Sequence, residues 1–322
     1  MEKILITGAT GFLGRHSSQV FHSLSDYEIV EVSSADYDLM KENQVIRMFE
    51  DINPDYVVHL AGYSGGIYSN RIKPAEYYYK NLQLITLTFH YAYEYGIKNI
   101  LIPIGGCSYP ANAKSPIKEE SMWEGFAQIQ SAGYAMAKKM ALVQSWAYRQ
   151  QYGFNSVVIL PGNMYGPYDN FSSLDSHVIP AMIRKFYEAK LEGLNEVSFW
   201  GTGQPQRDFV YVQDVAKLLP YFLLEYDAGS PINISTGEAV SIKELAEMIR
   251  QIIKFEGSIS WDSGQPDGQM IKIFSVNKLH SLGKSCNTSL RDGLEKTINW
   301  FVENWPDGVR IDDSVAVIGN EA

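Results

Sequence analysis

Tyr134 and Lys138 stand four residues apart in a stretch, 133–151, whose apolar spacing predicts a helix, so both side chains leave one face. A phenol with its ordinary pKa of about 10 is a poor acid–base catalyst at neutral pH. An ammonium one helical turn away, together with the positive charge of an oxidised hydride carrier, favours the phenolate. Such a pair can pass a proton to or from an oxygen while hydride moves at the carbon that bears it. That chemistry needs a hydride carrier, and the start of the chain offers a place for one. Gly8-Ala9-Thr10-Gly11-Phe12-Leu13-Gly14 follows an apolar strand and opens a helix. Gly8 suits the tight turn and Gly11 lets backbone approach a pyrophosphate. Gly14 permits close helix–strand packing, and the helix N-terminus faces the negative charge.

The dinucleotide's 2′ position falls just past the second strand, at Val32-Ser33-Ser34-Ala35-Asp36. No basic residue stands there to pair with a 2′-phosphate. Ser33 and Ser34 can bond a phosphate, while Asp36 or Asp38 can accept from a ribose hydroxyl, and the segment leans toward NAD.

The elements that must position these residues alternate. Strands are expected at 3–7, 28–33, 56–61, 99–104 and 155–160, with helices from the glycine run to about Leu24, then at 43–51, 74–95 and 133–151. Short apolar strands alternating with amphipathic helices predict an α/β fold, a parallel sheet covered on both faces. After Pro167 the rhythm changes. A helix at 178–190 and a short strand at 197–200 precede 208–212, which with the following helix is expected to return to the main sheet. Segments 242–255, 258–261 and 290–304 build a smaller lobe. The expected division is a dinucleotide-binding domain at 1–168 plus about 208–230, a substrate lobe at about 169–207 and 231–306, and a mobile polar tail at 307–322.

The bulk properties agree. The 322 residues are 45% hydrophobic, enough for one large domain with a lobe attached. A net charge of −10 argues against a nucleic-acid partner, which needs a basic stripe, but leaves room for a local cation cluster that holds an anionic substrate. Two cysteines, Cys107 and Cys286, make no disulfide framework, and a cytoplasmic location is expected. The first residues lack a signal-peptide pattern, and no apolar run approaches the roughly 18 residues of a membrane span.

With these elements in place, the chain resembles the extended short-chain dehydrogenase/reductase (NAD-dependent epimerase/dehydratase) family from residue 3 to about 304. The three-residue step from Gly8 to Gly11 is that family's spacing. More narrowly, the chain is similar to the branch that works on GDP-linked 4-keto sugars. The resemblance rests on Ser64-Gly65-Gly66-Ile67, Cys107-Ser108-Tyr109-Pro110, Tyr134-Ala135-Met136-Ala137-Lys138 and Pro161-Gly162-Asn163-Met164-Tyr165-Gly166-Pro167. Asp169-Asn170-Phe171, Ser176-His177-Val178-Ile179-Pro180, Trp200-Gly201-Thr202-Gly203 and Arg207-Asp208-Phe209 complete it.

The resemblance implies a Rossmann-type doubly wound sheet with a smaller C-terminal α/β substrate lobe, a homodimer built on the Tyr134 helix, NADP(H) as cofactor and a GDP-linked sugar as substrate. It matches Tyr134 and Lys138 to the catalytic pair, and Cys107 and His177 to the pair that moves protons at C3 and C5. It places the cofactor on Gly8, Thr10, Gly11, Phe12, Leu13 and Gly14, on Ser33, Ser34, Asp38 and Leu39, and on Ala61 and Gly62. Tyr134, Lys138, Pro161, Asn163, Met164 and His177 border the nicotinamide end. Ser64, Asn163, Lys185, Trp200, Arg207 and Lys272 match the positions that hold the nucleotide-sugar, and no metal is implied.

Physical chemistry agrees with those roles. A 4-keto group acidifies the C–H bonds on both neighbouring carbons. Epimerisation then needs one group to remove a proton and another to return it from the opposite face. Cys107 as thiolate and His177 as imidazolium suit that, since thiols and imidazoles as residue types can titrate near neutrality. Three departures stand out. Gly105-Gly106 replaces the serines that precede the cysteine in the family, the first of which bonds the C4 oxygen. Val32 and Ser34 replace arginines of NADPH-dependent relatives, and Ala132-Gly133 stands where a proline is common. Two alternatives therefore stay open: an enzyme that oxidises C4 transiently and retains NAD while inverting C3 and C5, and a cofactor-binding protein without catalysis.

Overall fold

The computed structural model describes residues 1–173, 175–264 and 267–311. Its central sheet has six strands, all parallel, in the order Ile232–Ile234, Ser156–Pro161, Asn99–Pro103, Tyr56–His59, Glu2–Thr7, Tyr27–Val32. Successive strand residues point to opposite faces, so near-continuous apolar runs feed two separate layers. Ile4, Ile6, Val58, Leu101, Val157 and Ile159 join the cluster under helices Phe12–Phe21 and Val212–Leu224. Leu5, Val57, Ile100, Ile102, Val158 and Leu160 join the cluster under helices Glu42–Ile52, Pro74–Glu94 and Ala132–Tyr152. Because every strand runs the same way, Thr7, Val32, His59, Pro103 and Pro161 all end at one edge of the sheet, where ligands of open α/β sheets bind.

A third apolar cluster lies beyond that edge. Helices Val178–Leu191, Ile242–Ile253 and Leu290–Asn304 contribute Ile183, Phe186, Leu245, Ile249, Leu294 and Phe301 to it. Ser241 and Glu244 form a reciprocal capping box that starts the middle helix. Strands Glu196–Trp200 and Ser258–Asp262 pair in parallel. Gln206–Arg207 sits between Val240–Ser241 and Ile271–Lys272 in a small sheet.

The structure corrects two expectations about connectivity. The segment at 208–212 does not rejoin the main sheet: strand Phe209–Tyr211 pairs with Asn163–Tyr165 instead, and only the helix after it packs on the main layer. The sixth strand is Ile232–Ile234, three residues long and too short to show a period in the sequence. The tail expected to be mobile from Asp307 begins docked. Val309 is buried in the third cluster, and Phe171 N–H donates to the Arg310 carbonyl at 3.0 Å. Residues 312–322 lie outside the described residues.

Candidate active site

The turn after the first strand is held by backbone. Gly8 has φ +70 and donates its N–H to Val32 O at 3.0 Å, tying the ends of the first two strands together. A Cβ on Gly14 would lie 2.1 Å from Gly8 O, so the turn and the helix touch as only glycine allows. Helix Phe12–Phe21 starts at Gly11 with no side-chain cap and no acid in its first turn, which leaves its leading N–H groups open to an anion. Behind the turn, Thr7 Oγ1 lies 2.9 Å from His59 Nδ1, and Ala61 N–H donates to the same hydroxyl. Burial, helped by the nearby Lys138 charge, pushes His59 down to about 3, so this support is a neutral imidazole.

Past the second strand, Asp36 accepts from Ser33 N–H and Ser33 Oγ, both at 2.8 Å. Those bonds hold its carboxyl below the usual range. Asp38 is paired with Lys41 at 3.1 Å and accepts from Met40 N–H. Leu39 is buried and Ser34 is exposed. The acids read as ribose acceptors are thus hydrogen-bonded within their own turns, Asp36 through Oδ2, and the segment presents no basic residue.

Tyr134 and Lys138 leave one face of Ala132–Tyr152 toward the ends of the third and fourth strands. Lys138 is buried and forms no ion pair among the described residues; a Cβ added to Gly62 would lie 3.0 Å from its Nζ. Burial pushes Lys138 down to about 8, against the pull of Cys107. Cys107 lies in the 3-10 turn Gly106–Ser108 that follows the fourth strand. A Cβ at Gly105 would sit 3.1 Å from Cys107 Sγ, 3.2 Å from Tyr134 Cε1 and 3.6 Å from Tyr134 Oη. One small point in space therefore faces both the thiol and the phenol.

Burial acts on both groups. Burial pushes the Tyr134 phenol up, and the neighbouring Cys107 and Tyr77 add to this. Burial likewise raises the Cys107 thiol, opposed first by Lys272 and then by Lys138. Desolvation thus favours the protonated form of both groups, and at Cys107 it outweighs the nearby ammonium groups.

Lys272 reaches Cys107 from the small sheet, where it stands opposite Arg207. Burial lowers its pKa, with Cys107 pulling the other way. The Arg207 guanidinium donates to Gln206 O and Gln269 O at 2.8 and 2.5 Å. Two cations thus stand opposite each other in the small sheet, and Lys272 is the one that acts on the thiol. Asn163 pairs with Phe209 and donates its Nδ2 to Asp208 O at 2.8 Å, Pro161 is buried and Met164 half-buried. Ser64 is exposed and Thr10 O accepts from Arg15 Nε. Lys185 donates to Ser198 O and Trp200 is 74% exposed; no hydrogen bond or ring contact among the described residues joins either to Tyr134, Lys138 or Cys107.

His177 is the exposed residue that precedes helix Val178–Leu191. Burial pushes the nearby Asp169 carboxyl up to about 6, with His177 and Arg310 opposing.

The family model for NAD dependent epimerase/dehydratases matches residues 4–235. The chain belongs to that family. Among its relatives, GDP-L-fucose synthase 1 of Arabidopsis thaliana is 37% identical over 302 residues, covering 94% of both chains. A GDP-L-colitose synthase of Yersinia pseudotuberculosis is 30% identical, covering 93% of this chain and 98% of that one. The crystal structure of a GDP-L-fucose synthetase from Naegleria fowleri bound to NADP superposes with a TM-score of 0.88 at 28% identity, covering 96% of each chain.

The epimerase/dehydratase frame also explains two departures sterically. A Cβ on Gly106 would lie 2.4 Å from Phe274 Cζ, and one on Gly133 would lie 2.4 Å from Pro74 O. Gly106 makes way for a buried ring, and Gly133 for the start of the neighbouring helix. Sequence reasoning missed Phe274, Tyr77 and Asn81. Tyr77 stands edge-on to Tyr134 with ring centroids 6.4 Å apart, and Asn81 fixes Tyr63 through its N–H and its carbonyl. Tyr77 and Asn81 are four apart on one helix, the same cue that revealed Tyr134 and Lys138, but nothing in their types announces chemistry.

Proposed function

We propose that this protein epimerises a GDP-4-keto-6-deoxy sugar, GDP-4-keto-6-deoxymannose or a close relative, at C3 and C5 and reduces it at C4 with NADP(H). The observation that carries the reading is the convergence of Tyr134 Oη and Cys107 Sγ on the space beside Gly105, with Lys138 and Lys272 behind them. A proton donor for an oxygen and a proton carrier for a neighbouring carbon are what a keto sugar needs. The similarity to GDP-L-fucose synthases and a GDP-L-colitose synthase supports the substrate class.

A nicotinamide dinucleotide suits the residues present: the uncapped helix start and the glycine turn receive its pyrophosphate, and the buried Lys138 ammonium its nicotinamide ribose. When bound, it supplies the hydride for C4. NADP(H) is favoured over NAD(H) because the Naegleria relative carries NADP.

The chain's own residues do the rest. The Tyr134 phenol donates its proton to the C4 oxygen as reduction proceeds, and Lys138, one helical turn along, offsets the resulting charge. Arg207 and Lys272 offset the charge of the GDP pyrophosphate. Cys107 and His177 remove and return protons at C3 and C5, one from each face of the ring. Cys107 starts as a thiol, so its first act is to give a proton unless the bound sugar shifts it, and Lys272 is the charge best placed to do so. The 1–168 plus 208–230 unit, extended by the sixth strand Ile232–Ile234, serves the cofactor, and 169–207 with the rest of 231–306 serves the sugar.

Homodimerisation and a cytoplasmic location belong to the same reading. Helices Pro74–Glu94 and Ala132–Tyr152 leave Tyr79, Trp146 and Tyr152 exposed, and both cysteines are free thiols. Among the described residues no helix is long and apolar enough to cross a membrane.

The test is incubation with GDP-4-keto-6-deoxymannose and NADPH in D2O, followed by absorbance and NMR. The expected result is solvent deuterium at C3 and C5 together with loss of NADPH. Deuterium without NADPH loss leaves epimerisation alone and removes the reduction. Neither signal removes the proposed substrate.

A further inference from the structure

Asp175 lies two residues before His177, and its side chain is engaged far from its own segment. The Gly66 N–H donates to Asp175 Oδ1 at 2.7 Å across 109 residues of sequence. The turn that receives it is built for close approach. A Cβ on Gly65 would lie 2.1 Å from Tyr77 Oη and 2.7 and 2.8 Å from the two Asp175 oxygens. One on Gly66 would lie 3.1 Å from Ser176 O and 3.2 Å from Asp175 C. Gly66 has φ −68 and ψ 178, a conformation any residue adopts, so its glycine serves proximity and not backbone shape.

Both partners of this contact are braced. Asn70 Nδ2 donates to Gly65 O at 3.0 Å and to Gly66 O at 2.9 Å. On the other side, Asn170 Nδ2 donates to Asp175 O at 3.0 Å, and Asn170 N–H donates to Asp169 Oδ1 at 2.7 Å. Tyr77 connects the contact to the chemistry: its hydroxyl faces Asp175 and its ring stands edge-on to Tyr134. Burial, with the Asp175 carboxylate adding, pushes the Tyr77 phenol up and keeps it neutral beside that carboxylate.

We propose that Asp175 is a positioning residue, whose carboxylate docks the segment carrying His177 onto the Gly65–Gly66 turn and so fixes where the imidazole meets the substrate. His177 itself is exposed and stands before a helix without a side-chain cap, so its place is set by the backbone leading into it. The catalytic half of this inference rests on the role given to His177 above.

Asp175→Asn keeps an acceptor for Gly66 N–H, and Asp175→Ala does not. In the intact protein, the Gly66 amide should exchange with solvent at least about tenfold faster in Asp175→Ala, and within about threefold of the parent in Asp175→Asn. The His177 imidazole NMR signal should shift or broaden only in the alanine variant. Deuterium incorporation at the sugar should fall at least about tenfold in Asp175→Ala with KM for NADPH unchanged, and Asp175→Asn should restore it. Adding Asp175→Ala to His177→Ala should cause no further loss, because the two act as a unit.

Unchanged Gly66 protection in Asp175→Ala overturns the proposal whatever substrate the parent accepts. So does an asparagine variant as impaired as the alanine one, or a loss that adds fully to that of His177→Ala. If the parent turns over no GDP-keto sugar, the functional reading fails, and the Gly66 amide and the His177 signal alone decide the docking role.

Discussion

Two glycine turns border the same edge of the sheet, and they need glycine for different reasons. In the first, Gly8 has φ +70, and Gly14 presses on the Gly8 carbonyl at a distance that no Cβ tolerates. In the second, Gly105 has φ −76 and ψ 147, which any residue adopts, and what a Cβ would meet is side chains: Cys107 and Tyr134 at Gly105, Phe274 at Gly106. Backbone cannot yield without unmaking the turn, whereas a side chain can rotate or be exchanged. The first turn is therefore fixed by the fold, and the second is free to adapt to the chemistry beside it.

The largest effect expected from this contrast is at Gly14. Gly14→Ala places a methyl against two backbone oxygens and should cost about 3 kcal/mol, the upper end for overpacking, because backbone cannot give way. Urea unfolding should show that loss, and fluorescence titration should show NADPH binding abolished. Gly106→Ala meets a ring instead, and should cost about 1–3 kcal/mol. Combined with Phe274→Leu, the loss should be less than the sum of the single changes by about 1 kcal/mol. A fully additive pair would show that the second turn is as rigid as the first.

At Gly105 the contacts of 3.1 and 3.2 Å call for shifts of only tenths of an ångström, so alanine and serine variants should both fold. They share the same Cβ and differ by one hydroxyl next to Tyr134 Oη. A donor to a developing oxyanion is worth about 100-fold at most sites of this kind. Gly105→Ser should therefore exceed Gly105→Ala in kcat by about tenfold or more, measured as NADPH oxidation with the keto sugar. Equal rates would mean that the vacated space contributes nothing to the reacting oxygen.

The smallest effect is on pH dependence. Lys138 is held at about 8 by burial, below its ordinary 10.5, so its ammonium is lost as pH rises through about 8. Cofactor affinity should fall several-fold across that window and stay flat below it. Lys138→Met should bind more weakly at pH 7 and lose the slope.

The first turn was legible because its meaning is local. Three glycines between an apolar strand and a helix state both the turn and its ligand, and Tyr134 and Lys138 state their shared face through a spacing of four. The second turn was legible only as a departure, since the reason for Gly106 is Phe274, far along the chain in a segment with no evident chemistry. The same holds for Asp36 and Asp38. Their types suggested a ribose site, and only coordinates show Ser33 and Lys41 occupying them. Burial was equally hidden: an ammonium four residues from a phenol reads as activating until the cost of desolvating both groups is known.

The sequence by itself determined the parallel α/β architecture, the close-packed glycine turn and the shared helix face of Tyr134 and Lys138, because each follows from periodicity or from residues close together in the chain. Tertiary structure alone decided that Cys107 and Tyr134 face one point beside Gly105, that Lys272 stands opposite Arg207 behind the thiol, and that Asp175 ties the His177 segment to Gly66. Those relations join residues 27 to 165 positions apart, and no local pattern encodes a distance across the fold.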